Sequence, residues 1–132
     1  MQNHKIEMNV TSRRFANAVV LHVKGRLDQD SCEAFRGDLM KSVETAAHGG
    51  GAIILDLAEL DYVSSAGLRC FMLASRQAKT QQGRIFVADM QPMVEEIFRI
   101  SHFNLVFQTF PTVREALAAA SGEAAAAFDQ KK

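Results

Sequence analysis

The run Ala52–Leu57, reading AIILDL, restricts the fold of this chain more than any other segment. It is short, β-branched and almost continuously apolar, as a strand covered on both faces should be. Such a strand belongs in a sheet with helices on both sides. Arg84–Ala88 repeats the pattern. Between the two runs the spacing predicts a helix from about Ser65 to Gln82, ended by Gly83. Its first turns, Gly67–Ala74, are apolar nearly all round, which predicts deep packing. Leu55, Leu57, Leu68, Phe71, Met72, Ile85 and Val87 are therefore expected in the core.

The flanking segments supply the remaining elements. Ile6, Met8 and Val10 alternate with polar residues, as in a half-exposed strand. A second strand is expected over Phe15–Val23 and is broken by Gly25. Asp28 and Asp30 are candidate helix caps, and Glu33 stands at capping-box spacing from Asp30. Cys32, Phe35, Leu39, Val43 and Ala46 then form a helical stripe ended by Gly49, Gly50 and Gly51. Pro92 can open a helix faced by Val94, Ile97 and Phe98. Leu105–Phe107 reads as a short strand. Thr112 and Glu115 form a capping box for a last helix carrying Val113, Ala116 and Leu117. The order β-β-α-β-α-β-α-β-α calls for an α/β fold with parallel strands joined by helical crossovers. An antiparallel hairpin of the first two strands makes the sheet mixed. Ser121–Lys132 is alanine-rich and has few large apolar groups to anchor it.

Residue chemistry narrows the function mainly by exclusion. In 132 residues, 15 basic and 15 acidic side chains cancel, which disfavours nucleic acid and anionic lipid as partners. No apolar run has membrane-spanning length, and Met1–Arg14 lacks a signal-peptide core. A soluble cytoplasmic domain is the expectation, without direct membrane insertion. His4, His22, His48 and His102 show no ligand spacing. Cys32 and Cys70 fall on apolar helix stretches and read as small buried hydrophobes. Gly49–Gly51 lacks the Lys-Ser/Thr of a phosphate-binding loop. Asp56 and Asp61 read as acceptors of loop N–H groups or as caps. No catalytic residue, metal site or cofactor is expected.

In open α/β sheets the functional crevice lies beyond the carboxyl ends of the strands. The expected loop Ala58–Ser65 leads from such an end to a helix start. With its flanks it reads LDLAELDYVSSAGLRCF, and Gly25-Arg26-Leu27-Asp28 follows the second strand. These stretches, with the order of elements, resemble the STAS domain family of bacterial anti-sigma factor antagonists. The resemblance implies a STAS fold: a mixed β-sheet of about five strands with four to five helices. It assigns 1–120 to that domain and leaves 121–132 as a tail, helical or disordered.

The resemblance also implies a mechanism. The unphosphorylated domain binds an anti-sigma factor, usually a serine kinase of the histidine-kinase-like ATPase superfamily. That kinase phosphorylates a serine at the helix start, and a metal-dependent serine phosphatase reverses the step. The family pattern is Asp-Ser-Ser-Gly-Leu, with the second serine as acceptor. Here Ser64, Ser65 and Ala66 precede Gly67-Leu68, so Ala66 occupies the usual acceptor slot. Two readings follow from that departure. In the first, Ser65 or Ser64 takes the phosphate, and the partner surface comprises Asp28, Asp61, Tyr62, Ser64, Ser65, Ala66, Gly67 and Arg69. In the second, the chain is a non-switching subunit of an ABC lipid-transport or signalling assembly. Both serines also have the plain role of helix N-cap residues.

Overall fold

The computed structural model describes residues 8–47, 51–81 and 83–130. Ile6, His4, His48, Gly49, Gly50 and Gln82 lie outside them, as does the side chain of Ala46. The elements are β1 (Met8–Phe15), β2 (Ala18–Leu27), α1 (Cys32–Ala47), β3 (Ala52–Val63), α2 (Ser65–Thr80), β4 (Arg84–Ala88), α3 (Pro92–Ile100), β5 (Gln108–Phe110), α4 (Val113–Ala120) and α5 (Gly122–Gln130). A short 3-10 turn, Phe103–Leu105, precedes β5. The strands lie in sequence order across one sheet, with β3 in the middle. β1 and β2 pair antiparallel, and every other pair is parallel. The sheet is the mixed one expected, with the buried AIILDL run at its centre.

Strand alternation builds two cores, one on each face. Ile53, Leu55 and Leu57 of β3 join Leu21 and Val23 of β2 under α1, α2 and α3. Ala52 and Ile54 join Val20 and Phe86 under α4 and α5. Phe71 of α2 stands in the middle of the larger core. Its ring meets Phe35 at 5.4 Å, Phe98 at 5.8 Å and Phe107 at 6.3 Å between centroids.

Local departures from the sequence reading have physical causes. Phe15 ends β1 and pairs with Ala18 across a two-residue loop, where Ala16 takes a left-handed φ of 56°. β2 therefore starts at Ala18, and it runs on through Gly25 to Leu27. Gly25 breaks the regular register without ending the strand: its φ is 112°, and register shifts flank it. The segment expected as the loop Ala58–Ser65 is strand as far as Val63, because the extended β2 pairs with it. Leu105–Phe107 is not a strand: Leu105 is 79% exposed, while Phe107 drops into the core. The residues that pair with β4 are Gln108–Phe110.

α2 is less deeply enclosed than its composition suggests. Gly67, Cys70, Phe71, Ala74, Ser75 and Ala78 form its buried stripe. Leu68 and Met72 fall at the edges of that stripe and are half-buried, whereas Leu55, Leu57, Phe71, Ile85 and Val87 are buried as expected. The alanine-rich tail forms a helix of its own. Ala124 lies flat against the second core, and Phe128 stacks edge-on against Phe15 at 5.3 Å. Alanines permit this close approach, so a single large side chain completes the contact.

Truncating Phe71 would empty a space walled by three other rings. Phe71→Ala should lower stability by about 3–5 kcal/mol in chemical denaturation. A loss below about 1 kcal/mol would place that ring outside the core.

Candidate functional site

The carboxyl ends of β2 and β3 meet the start of α2 at a tightly bonded junction. Ser64 N–H donates to Leu27 C=O at 2.8 Å, carrying strand-like pairing one residue past β3. Ser64 then leaves the strand in an extended conformation (φ −92°, ψ 176°) and caps α2. Its Oγ accepts from Gly67 N–H at 3.2 Å, and its carbonyl accepts from Leu68 N–H at 2.9 Å. The plain capping role is thus filled by Ser64.

Gly67 is needed for space. A Cβ there would stand 2.7 Å and 2.9 Å from Leu27 side-chain carbons and 2.8 Å from Val63. The helix start rests directly on the two strand ends, with no room for a methyl group. This close seating turns Ser65, the first helical residue, outward. Ser65 is exposed, Ala66 is half-buried and Gly67 is buried. The N–H groups of Ser65 and Ala66 have no acceptor within the helix, and the positive end of the helix dipole lies there.

Around this point the structure gathers most of the expected surface. Asp28 Oδ1 accepts from the backbone N–H groups of Asp30 at 3.0 Å and Ser31 at 3.2 Å. The Ser31 backbone bond leads in holding its carboxyl below the usual range. Ser31 Oγ accepts from Asp28 N–H at 3.0 Å and donates to Arg26 C=O at 2.8 Å. The start of α1 is thus organised by Asp28 and Ser31, not by the Asp30–Glu33 box; Glu33 instead lies 3.5 Å from Arg36. Arg26 lies over the Tyr62 ring at 4.6 Å. Asp61 points toward α3, where Gln91 Nε2 donates to its Oδ1 at 3.2 Å and to Ala58 C=O at 2.9 Å. Arg69 lies on the other side of the serines, in a cleft of about 370 Å³ between α1 and α2. Ser65, Ala66 and Arg69 form one wall, with Cys32, Glu33 and Arg36 opposite.

Sequence reasoning did not single out Ser31, Gln91 or Arg36, and it noted Leu27 only as part of Gly25-Arg26-Leu27-Asp28. It placed His22 among histidines without ligand spacing and named no partner for it. His22 and Asp56 are direct partners across β2 and β3. Nδ1 lies 3.1 Å from Asp56 Oδ2, and Nε2 lies 2.6 Å from Glu59 Oε1. Burial pulls the His22 pKa down, but the hydrogen bonds and charges of Glu59 and Asp56 outweigh it and raise the net value. The bond to His22 likewise leads in lowering the Glu59 pKa. Asp56 Oδ1 accepts from Ala58 N–H at 3.1 Å, the bonding role expected of it. Among the described residues, no group of three or more His, Cys, Asp or Glu side chains is arranged to hold a metal ion. No described helix is long and apolar enough to cross a membrane.

The STAS domain pattern matches residues 8–116. The chain belongs to the STAS domain family. The protein BtrV of Bordetella bronchiseptica, assigned as an anti-sigma factor antagonist, is 33% identical over 113 residues. That alignment covers 86% of this chain and 94% of BtrV. Among solved structures, an anti-sigma factor antagonist from Mycobacterium paratuberculosis superimposes with a TM-score of 0.76 at 19% identity. It covers 86% of this chain and 93% of the other chain. Unphosphorylated SpoIIAA, also an anti-sigma factor antagonist, gives 0.71 at 21% identity, covering 86% and 97%. At those identities the two structures establish the shared fold.

Two measurements probe the junction and the histidine cluster. Ser64→Ala removes the cap and should cost about 1 kcal/mol in denaturation. The raised His22 pKa means that the folded protein binds that proton more tightly than the unfolded chain does. Its stabilising effect is complete below the ordinary value of 6.5 and is lost as pH rises through the raised folded value. His22→Gln should therefore flatten the decline in stability as pH rises above about 6.5, followed by urea denaturation. An unchanged slope would show that the cluster does not contribute it.

Proposed function

We propose that this STAS domain is an anti-sigma factor antagonist that works by partner switching, with Ser65 as its phosphoacceptor. The observation that carries the assignment of Ser65 is the division of labour between the two serines. Ser64 Oγ is engaged as the cap of α2, while Ser65 is exposed at the first helical position. Ser64 is the alternative acceptor. The 33% identity with BtrV supports the broader role.

In this reading the unphosphorylated domain binds an anti-sigma factor with serine kinase activity, of the histidine-kinase-like ATPase superfamily. A metal-dependent serine phosphatase resets it, and the exchange takes place in the cytoplasm. The domain acts as a binding module, and catalysis resides in those partners. The docking surface comprises Asp28, Asp61, Tyr62, Ser64, Ser65, Ala66, Gly67 and Arg69. Gly67 contributes by seating the helix rather than by touching the partner.

The physics of the switch follows from the helix start. A phosphate on Ser65 meets free N–H donors and the positive helix end. Arg69, four residues on, shares that helix face and offers a countercharge. The fold therefore tolerates the group. A docked partner instead faces a new charge of about −1.5 to −2 and must desolvate it. Binding should weaken by a few kcal/mol where a carboxylate or apolar patch faces it, on the order of 10²-fold or more.

Ser65→Asp should reproduce part of this weakening, and Ser65→Ala should bind whether or not the kinase has acted. Phosphopeptide mapping after reaction with the cognate kinase, paired with titration of both variants, tests the switch. Phosphate outside Ser64 and Ser65, or equal affinity for Ser65→Asp and the parent, would favour a non-switching STAS subunit of a transport or signalling assembly.

A further inference from the structure

The cleft beside Ser65 holds two free cysteines on opposite walls. Cys32 is the first residue of α1 and is half-buried, so a small solute in the cleft can reach it. Cys70 lies on α2 and is only 4% exposed. Its thiol points across the helix pair and donates to Cys32 C=O at 3.6 Å. The Cys32 thiol donates to Gln29 C=O at 3.5 Å. Apolar packing accounts for a buried Cys70, but not for a second, half-buried cysteine lining the same cleft. Arg36 and Arg69 line the same space.

We propose that Cys32 and Cys70 are a peroxide-sensitive modification site that closes to an intramolecular disulfide between α1 and α2. The Cys70 thiol already reaches the Cys32 backbone, so the movement the bond requires is rotation of the Cys32 side chain from Gln29 toward Cys70. Cys32 reacts first. Its thiolate attacks one oxygen of hydrogen peroxide, the O–O bond breaks, and with one proton taken up the products are Cys32 sulfenic acid and water. The Cys70 sulfur then attacks the sulfenic sulfur. The S–S bond forms, the S–O bond breaks, and the departing hydroxyl leaves as water with the Cys70 proton. Two thiols are oxidised by two electrons in all, and one peroxide is reduced to two waters. Burial and the neighbouring Cys32 push the Cys70 thiol up to about 11, with Arg36 opposing them, which assigns it the second step.

The bond would tie the first turn of α1 to α2 just past Ser65, fixing the two walls of the cleft. The site stands independently of whether Ser65 is phosphorylated. The experiment treats the reduced, full-length protein with hydrogen peroxide, blocks remaining thiols by alkylation and maps peptides by mass spectrometry. The expected product is monomeric, lighter by two hydrogens, with Cys32 and Cys70 peptides linked until reduced. Its thermal midpoint should rise by about 5–15 °C and return on reduction. Cys70→Ser, checked for folding by circular dichroism, should lose the cross-link and accumulate further-oxidised Cys32. Sulfinic acid at Cys32 in the parent protein, dimers joined through Cys32, or two thiols still open to alkylation would each overturn the proposal.

Discussion

The contact of Gly67 with Leu27 and Val63 is the constraint on which the upper half of the molecule depends. Because Gly67 has no side chain, the first turn of α2 can sit directly on two strand ends. The same seating lets Ser64 bond both to the end of β2 and to the third residue of the helix. It also sends the helix down across the sheet at a height that brings Phe71 among Phe35, Phe98 and Phe107. A side chain at position 67 would lift the helix start from the strands and disturb the cap and the aromatic cluster together. The outward placement of Ser65 comes from close packing beneath it.

The unequal lengths of the strands explain the polar surroundings. β3 is 12 residues long, but only Ala52–Asp56 has β4 beside it. Past that point β3 keeps β2 as a neighbour and loses the strand on its other side. The Gln91 side chain takes over there by donating to Ala58. On the opposite sheet face α4 and α5 cover the lower strand halves, and His22, Asp56 and Glu59 occupy the level above Val20 and Ile54. Charge appears where helix cover ends and backbone pairing continues.

The sequence made the architecture legible because its strongest signals were core signals. AIILDL could only be a central strand, and Pro92 and Thr112 marked helix starts that the structure keeps. The extension of β3 was hidden because Ala58–Val63 contains Glu59, Asp61 and Tyr62 and lacks strict alternation. Its buried residues, Leu60 and Val63, follow Leu57 at every third position across a register shift, which neither a helix nor a flat strand template matches. The serine pair was visible as a motif, but its division into one capping and one exposed hydroxyl depends on a bond to Leu27, 37 residues earlier in the chain. The His22 cluster was invisible for the same reason. Its members are separated by 34 and 37 positions and meet only through strand register.

The two outer strands bear on a different matter, the tendency of open sheets to add further strands from other molecules. An unpaired edge is a template for such growth, and natural sheets shorten it, charge it or bend it. β5 is three residues long, so one margin offers almost no template. β1 is longer, but its far end carries exposed Arg13 and Arg14 in succession. A second molecule docking there in strand fashion would bring like charges together. α5 also packs against β1 through Phe128 and Phe15, adding bulk beside that margin. The alanine-rich C-terminal helix thus joins the arginine pair in discouraging sheet-to-sheet assembly.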